Sequence, residues 1–157
     1  MPFPRLLPIL AFTMLALVTQ APAKTNKSEA DNAPKSVPVP EAQVPTGTCI
    51  RISLSNQCAW LYQDGKVVNT TAVCTGRPGR RTPTGNFFVI NKHKDWISTI
   101  YHVPMPYFLR LDPGYFGLHA GHMAGKPASH GCIRLPKGKA AEFFSVVPVG
   151  TPVKIEQ

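Results

Sequence analysis

Acidic residues are scarce in this 157-residue chain: 8 Asp and Glu stand against 17 Lys and Arg, a formal net charge of +9. Charged residues of both signs make up 16%, below the roughly 25% of an average soluble protein. The apolar share of 43% is nevertheless ordinary, so a packed core forms and wholesale disorder is excluded. The length leaves room for one compact domain plus some unfolded chain, not for two domains. No apolar run approaches the ~20 residues that cross a bilayer; Leu6 to Val18 has 13 and contains Pro8. Helix signals are equally few. Only Lys139 to Val146, with Pro136 before it and Pro148 after it, reads as a helix. Proline, at 17 residues, is poorly tolerated in helix interiors, so the composition points to strands and turns. There is no internal repeat. The basic residues are scattered apart from Arg77, Arg80 and Arg81, with none of the aromatic-interleaved stripes or groove-reading helices of nucleic-acid binders, which excludes nucleic acid as a partner.

Residues 1–23 combine one basic residue, Arg5, with the apolar run and a small-residue end at Ala21-Pro22-Ala23, the pattern of a secretory signal peptide cleaved before Lys24. No cysteine follows the run, so a lipid-modified N-terminus is not expected. Residues 24–45 contain four prolines, mixed charge and no aromatic; they cannot bury enough surface to offset chain entropy and read as a flexible tether. The domain is then 46–157, with 13 basic and 5 acidic residues. A basic domain suits an acidic polymer. Export favours the carboxylate-bearing bacterial cell wall and a periplasmic location, with no membrane attachment after cleavage. The alternative is that the charge only maintains solubility.

Within the domain, Ile50, Ile52 and Leu54 alternate with Arg51, Ser53 and Ser55, the period of a strand with one buried face. Asp64-Gly65 supplies the positive φ angles of a tight hairpin turn between Ala59–Tyr62 and Val67-Val68. That turn places Cys58 opposite Thr71. Asn86 to Asn91 resumes as a strand, and short segments at Ile97–Tyr101, Tyr115–His119, Ile133–Leu135 and Val153–Ile155 add others. The expected fold is mainly β, a sandwich or partly closed barrel with one or two short helices.

Chemistry concentrates in residues 117–135, GLHAGHMAGKPASHGCIRL, which bring His119, His122, His130, Cys132 and Arg134 into a Gly- and Ala-rich stretch. Only a few per cent of an ordinary thiol is thiolate at neutral pH. An imidazole within reach takes its proton and returns it to a leaving amine, the logic of acyl transfer through a thioester. Gly131 allows close backbone approach, and amides beside the nucleophile can face an oxyanion. Two other readings stand beside this one. Cys132 can be an inert buried thiol, or the histidines and Cys132 can bind zinc. Their spacings fit neither a helical ligand pair nor a Cys-x-x-Cys knuckle, and no acidic residue lies nearby to activate water. No metal and no cofactor is therefore expected.

The segment Ala128 to Leu135, ASHGCIRL, resembles the signature of the L,D-transpeptidases of the YkuD type, with Gly117-Leu118-His119-Ala120-Gly121 as the upstream histidine element. The similarity continues through Ile50–Tyr62, Thr75-Gly76, Thr82-Pro83-Thr84-Gly85-Asn86-Phe87, Met105-Pro106-Tyr107 and Gly150–Val153, covering most of 48–156 in order. The resemblance implies a YkuD-like fold and an enzyme whose nucleophile, Cys132, attacks the L,D peptide bond of a peptidoglycan stem tetrapeptide. D-Ala would leave, and an amine acceptor would resolve the thioester into a 3→3 cross-link. It further implies His119 as general base and acid, oxyanion amides from Gly131 and Cys132, and a substrate pocket involving Ser129, His130, Arg134 and Tyr107. Arg134 either holds a substrate carboxylate or makes a scaffold ion pair. Ala120 replaces the glycine common after the histidine, and the 13-residue separation of His119 from Cys132 is short for the family. That shortens the lid-like loop between them and keeps His122 and His130 open as alternative bases. His93 and His102 fall at surface or rim positions. The same scaffold also supports an L,D-carboxypeptidase or amidase-type hydrolase, with water as acceptor, or a wall-binding module without catalysis. The remaining cysteines, Cys49, Cys58 and Cys74, suggest in an exported protein one disulfide of unassigned pairing and a leftover thiol, or else three buried free thiols.

Overall fold

The computed structural model describes residues 46–157. The signal peptide and tether read from residues 1–45 lie outside the described residues. The chain forms β1 (Thr48–Ser53), β2 (Cys58–Gln63), β3 (Lys66–Ala72), β4 (Gly85–Ile97), β5 (Pro104–Asp112), β6 (Phe116–Ala120), β7 (Ile133–Leu135), α1 (Lys137–Val146) and β8 (Pro152–Glu156). The mainly β expectation holds. The strands make a single eight-stranded sheet in the order β3-β2-β1-β8-β4-β5-β6-β7. Beyond β3, Cys74 exchanges both backbone hydrogen bonds with Arg134 of β7 (2.9 and 3.0 Å), and Gly76 bridges Ser129. The two edges therefore meet at isolated bridges rather than in a ladder, and the sheet stays open.

Alternation in β1 and β2 sends Ile50, Ile52, Ala59 and Leu61 into the main core, where they pack with Val89, Leu111, Leu118 and Phe143. The opposite face of the same hairpin is also buried: Cys49, Cys58, Trp60 and Tyr62 cluster there, and Arg51 reaches Glu156 at 2.9 Å. Ile50 and Ile52 thus follow the expected period, but Arg51 and Ser53 are not on a solvated face. Asp64 and Gly65 adopt φ of 49° and 79° between the paired Gln63 and Lys66, as their chemistry requires. A bulge past Leu61 then skips Val68, so Cys58 pairs with Ala72 instead of Thr71. One extra residue in one strand shifts every later pair.

Two other expectations change, at residues 97–112 and at the start of the helix, and of the two readings of Cys49, Cys58 and Cys74 the buried free thiols hold. Strand β4 runs on to Ile97, and residues 99–101 turn instead of extending; β5 follows as a nine-residue strand the sequence pattern missed. All four cysteines are free. Cys49 lies opposite Tyr62 while Cys58 lies opposite Ser53, four positions apart along the ladder, and Cys74 turns its thiol to the Lys126 carbonyl at 3.3 Å. That separation of Cys49 from Cys58 exceeds the Cα range a disulfide spans. Helix α1 starts two residues earlier than expected and buries Ala140 and Phe143 against the sheet, with Val147 completing the anchor. Phe143 is fully buried, so Phe143→Ala should lower the unfolding free energy by about 3–5 kcal/mol, measured by urea denaturation; a loss under about 1 kcal/mol would show that the helix does not anchor the core.

Candidate active site

Strands β6 and β7 pair in parallel, with Leu118 opposite Ile133 and His119 opposite Arg134. Cys132 precedes β7 by one residue, so it is a diagonal neighbour of His119, and the pleat directs both side chains to one face. Together with Ser129, His130, Arg134, Tyr101, Val103 and Met105 they line a cavity of about 300 Å³. Five of the sequence candidates are thus brought together. Tyr101 and Val103 of the β4–β5 connection complete the lining beside Ser129 and His130 of the 121–131 loop.

The imidazole is 7% exposed. Its Nδ1 lies 2.8 Å from the Ala120 carbonyl; a carbonyl only accepts, so Nδ1 carries the proton and the Nε2 lone pair is left available. Burial, opposed by the Ala120 hydrogen bond and aided by the Arg134 guanidinium, brings the His119 pKa down to about 4. Burial also pushes the Cys132 thiol up, against a hydrogen bond from the Gly117 backbone and the charge of Arg134. At neutral pH both partners are therefore uncharged. Among the described residues no hydrogen bond joins the sulfur to the imidazole directly. Such contacts commonly tighten only when substrate binds.

The segment carrying Cys132 is tied down by Ser129, a sequence candidate, and by Thr82, Thr75 and Gln57, which sequence reasoning missed. Ser129 Oγ donates to the Cys132 carbonyl at 2.5 Å and accepts the Gly131 amide at 3.1 Å. Thr82 Oγ1 donates to the Gly131 carbonyl at 2.8 Å while accepting the Gly76 amide at 2.9 Å. Behind these, the Thr75 carbonyl accepts the amides of Ala128 and Ser129, and Thr75 is itself clamped by Gln57, through Nε2 at 2.6 Å and Oε1 at 3.0 Å. The expected oxyanion role of Gly131 changes accordingly, because its amide is committed to Ser129. Its contribution is conformational: φ of +121° lies where only glycine is unstrained. The Cys132 amide has no acceptor among the described residues. Gly117 is equally constrained, since a Cβ there would sit 2.1 Å from the Leu109 carbonyl oxygen.

His130 is exposed and stacks on Tyr101 with ring centroids 4.7 Å apart; partial desolvation and the guanidiniums of Arg77, Arg80 and Arg134 lower its pKa. His122 does not line the cavity. Tyr107 does not reach it either: its φ of +57° interrupts the pleat of β5 and turns the ring onto Phe144 of α1 at 5.8 Å, leaving Met105 as the β5 contribution. His102 is exposed, and His93 is half-buried against Trp96 at 4.5 Å. Arg134 makes no ion pair among the described residues.

Burial of neutral His119 links stability to pH. The unfolded imidazole takes a proton near pH 6.5 and the folded one only near 4, so the unfolded state binds more protons in between and stability falls as the pH is lowered through that window. The expected loss attributable to His119 is about 3 kcal/mol between pH 6.5 and 4. Urea unfolding of the parent and His119→Gln across this range should show the shallower slope in the variant; parallel slopes would refute the buried neutral ring.

These features define a class: a small β domain with a neutral imidazole on one strand and a thiol just before the adjoining strand, around one cavity. A family model of the YkuD L,D-transpeptidase catalytic domain matches residues 47–155, and the chain belongs to that family. It is 30% identical over 115 residues to YkuD of Bacillus licheniformis, covering 68% of this chain and 64% of that protein. Against L,D-transpeptidase 1 of Mycobacterium tuberculosis it is 27% identical, covering 66% of this chain and 48% of that one. The chain thus spans roughly half to two thirds of the length of these curated relatives. Among solved structures it matches an Enterococcus faecium L,D-transpeptidase mutant with a TM-score of 0.64 and 34% identity, covering 69% of this chain and 49% of the other. It matches an L,D-transpeptidase in complex with imipenem with a TM-score of 0.65 and 25% identity, covering 69% and 58%.

Proposed function

We propose that this domain is a peptidoglycan L,D-transpeptidase working through a Cys132 acyl-enzyme. The observation that carries the reading is the placement of His119 and Cys132 on the wall of one cavity, with His119 Nδ1 held on the Ala120 carbonyl so that Nε2 is the basic nitrogen. Cys132 Sγ attacks the carbonyl of the L,D bond in a stem tetrapeptide as its proton passes to Nε2. The oxyanion faces the Cys132 amide. Collapse expels D-Ala, which takes the proton from Nε2, and leaves a thioester. An acceptor amine, the side chain of a third residue in another stem, then attacks; its proton goes to Nε2 and on to the departing sulfur, completing a 3→3 cross-link. The imidazolium formed on the way is held by its bond to the Ala120 carbonyl. The reaction needs no metal or cofactor. Substrate in the wall implies export, for which residues 1–23 are the proposed signal, and a periplasmic location.

Incubating the protein with a labelled tetrapeptide should yield cross-linked dimers and free D-Ala. Tripeptide as sole product would assign the hydrolase instead, and unchanged tetrapeptide would leave only wall binding. A carbapenem should add its mass to the parent protein and not to Cys132→Ala; an intact-mass spectrum with no adduct on the parent would overturn the nucleophile.

A further inference from the structure

The arginine cluster noted in the sequence is divided by the fold. Arg81 lines a separate cavity of about 230 Å³ with Leu54, Thr75 and Pro127. Arg77 and Arg80 instead contact residues that line the active-site cavity, Ser129 and Tyr101. The Arg77 amide donates to the Ser129 carbonyl at 3.0 Å, and the Arg80 amide to the Arg77 carbonyl at 2.9 Å. Gly76 bridges Ser129 in the same stretch, so the loop 76–82 is laid along residues 129–131. Arg80 Nη1 then donates to the Tyr101 hydroxyl at 3.2 Å, and Tyr101 stacks on His130. Both rings line the cavity with Arg134. The charges of Arg77, Arg80 and Arg134 all help to lower the His130 pKa, in keeping with these contacts.

Among the described residues no carboxylate forms an ion pair with these arginines. The carboxylates after residue 45 are Asp64, Asp95, Asp112, Glu142 and Glu156, and the ion pairs among the described residues are Arg51–Glu156, Lys139–Glu142 and Lys154–Glu156. Three guanidiniums gathered beside a nucleophile without a carboxylate repel one another, and an arriving anion relieves that repulsion through charge-assisted, bidentate hydrogen bonds. The acyl-transfer steps themselves leave Arg77 and Arg80 unused.

We propose that Arg77, Arg80 and Arg134 form an anion-recognition rim that takes a carboxylate of the stem peptide close to the bond being broken, making Arg77 and Arg80 specificity-determining residues. The inference rests on the reading of the cavity as a stem-peptide site. Two groups carry this chemistry: the C-terminal carboxylate of the fourth residue and the side-chain carboxylate of a diamino acid at the third. A wall in which the relevant carboxylate is amidated would then be a poor substrate.

The test uses the full chain carrying Cys132→Ser, so that binding is read without turnover, and four tetrapeptides: unmodified, amidated at the C-terminus, amidated on the third side chain, and amidated at both. By calorimetry the unmodified peptide should bind about 10- to 100-fold more weakly when Arg77→Gln and Arg80→Gln are added, and its affinity should fall with salt. One amidation should weaken binding to the parent by a similar factor yet cost little more in the arginine variant; which one does so names the carboxylate. Arg81→Gln should bind as the parent does. Equal affinity of the parent for all four peptides, or an arginine variant that binds the unmodified peptide normally, would overturn the rim. Turnover by the Cys132-containing protein separates the two ideas: cross-linking of all four peptides at equal rates leaves transpeptidation standing and removes the rim, whereas no binding and no turnover of any peptide removes both.

Discussion

Cys132→Ala is expected to abolish acyl-enzyme formation, with transfer from a stem tetrapeptide falling by roughly 10⁴-fold or more, as when a nucleophile acting in concert with a base is removed. The side chain is only half-buried, so its truncation should change the unfolding free energy by about 1 kcal/mol or less. Thermal melts and single-turnover assays on the same preparations separate these effects. A variant that melts with the parent and turns over at the parental rate would exclude Cys132 as nucleophile. A variant that fails to fold would show that the thiol is a core residue first, and a Cys132→Ser protein would then carry the kinetic comparison.

For His119→Ala the expected loss is about 10²- to 10⁴-fold in acylation, the range for a positioned general base. Its pH dependence distinguishes a base from a structural ring. With the His119 pKa near 4, the imidazole stays competent to accept a proton down to about pH 5, and the acid limb of kcat/KM should lie close to 4. The Cys132 thiol is pushed above the ordinary thiol range, so alkylation by neutral iodoacetamide should climb steadily towards alkaline pH. The gap between parent and His119→Ala should narrow there, because solvent then deprotonates the sulfur unaided. A rate plateau between pH 5 and 7 would instead reveal a preformed thiolate–imidazolium pair. The geometry argues against one: burial disfavours both ions, and Arg134 penalises the imidazolium.

What could be read in advance was local. The 19 residues from Gly117 to Leu135 contain nucleophile, base and flanking glycines, and a parallel β6–β7 pairing closes that segment on itself. The Asp64-Gly65 turn was legible because positive φ is a property of those residue types. Val68 gave no sign of being the bulged residue, since a bulge depends on both strands at once. The relay from Gln57 through Thr75 to Ser129 joins positions 18 and 54 apart, with nothing in the spacing to mark it. The segment Ile97–Tyr101 read as a strand, yet Ile97, Ile100 and the following Val103 remain exposed at the turn that helps to line the cavity. Exposed apolar residues at a β4–β5 tip become recognisable only when the hairpin is folded.

The residue types and their order along the chain determined a basic β domain with a cysteine, a histidine and a left-handed glycine close together, because alternation, turn chemistry and acid–base character are properties of individual side chains. Tertiary structure decided the remainder: that Nδ1 points to Ala120, that Gly131 gives its amide to Ser129, that Tyr107 faces Phe144, and that Arg80 meets the cavity-lining Tyr101 while the Arg77 amide meets Ser129. Each of these depends on which distant backbone groups arrive within hydrogen-bonding or packing distance, and burial, which sets the protonation of His119 and Cys132, exists only once the chain has folded around them.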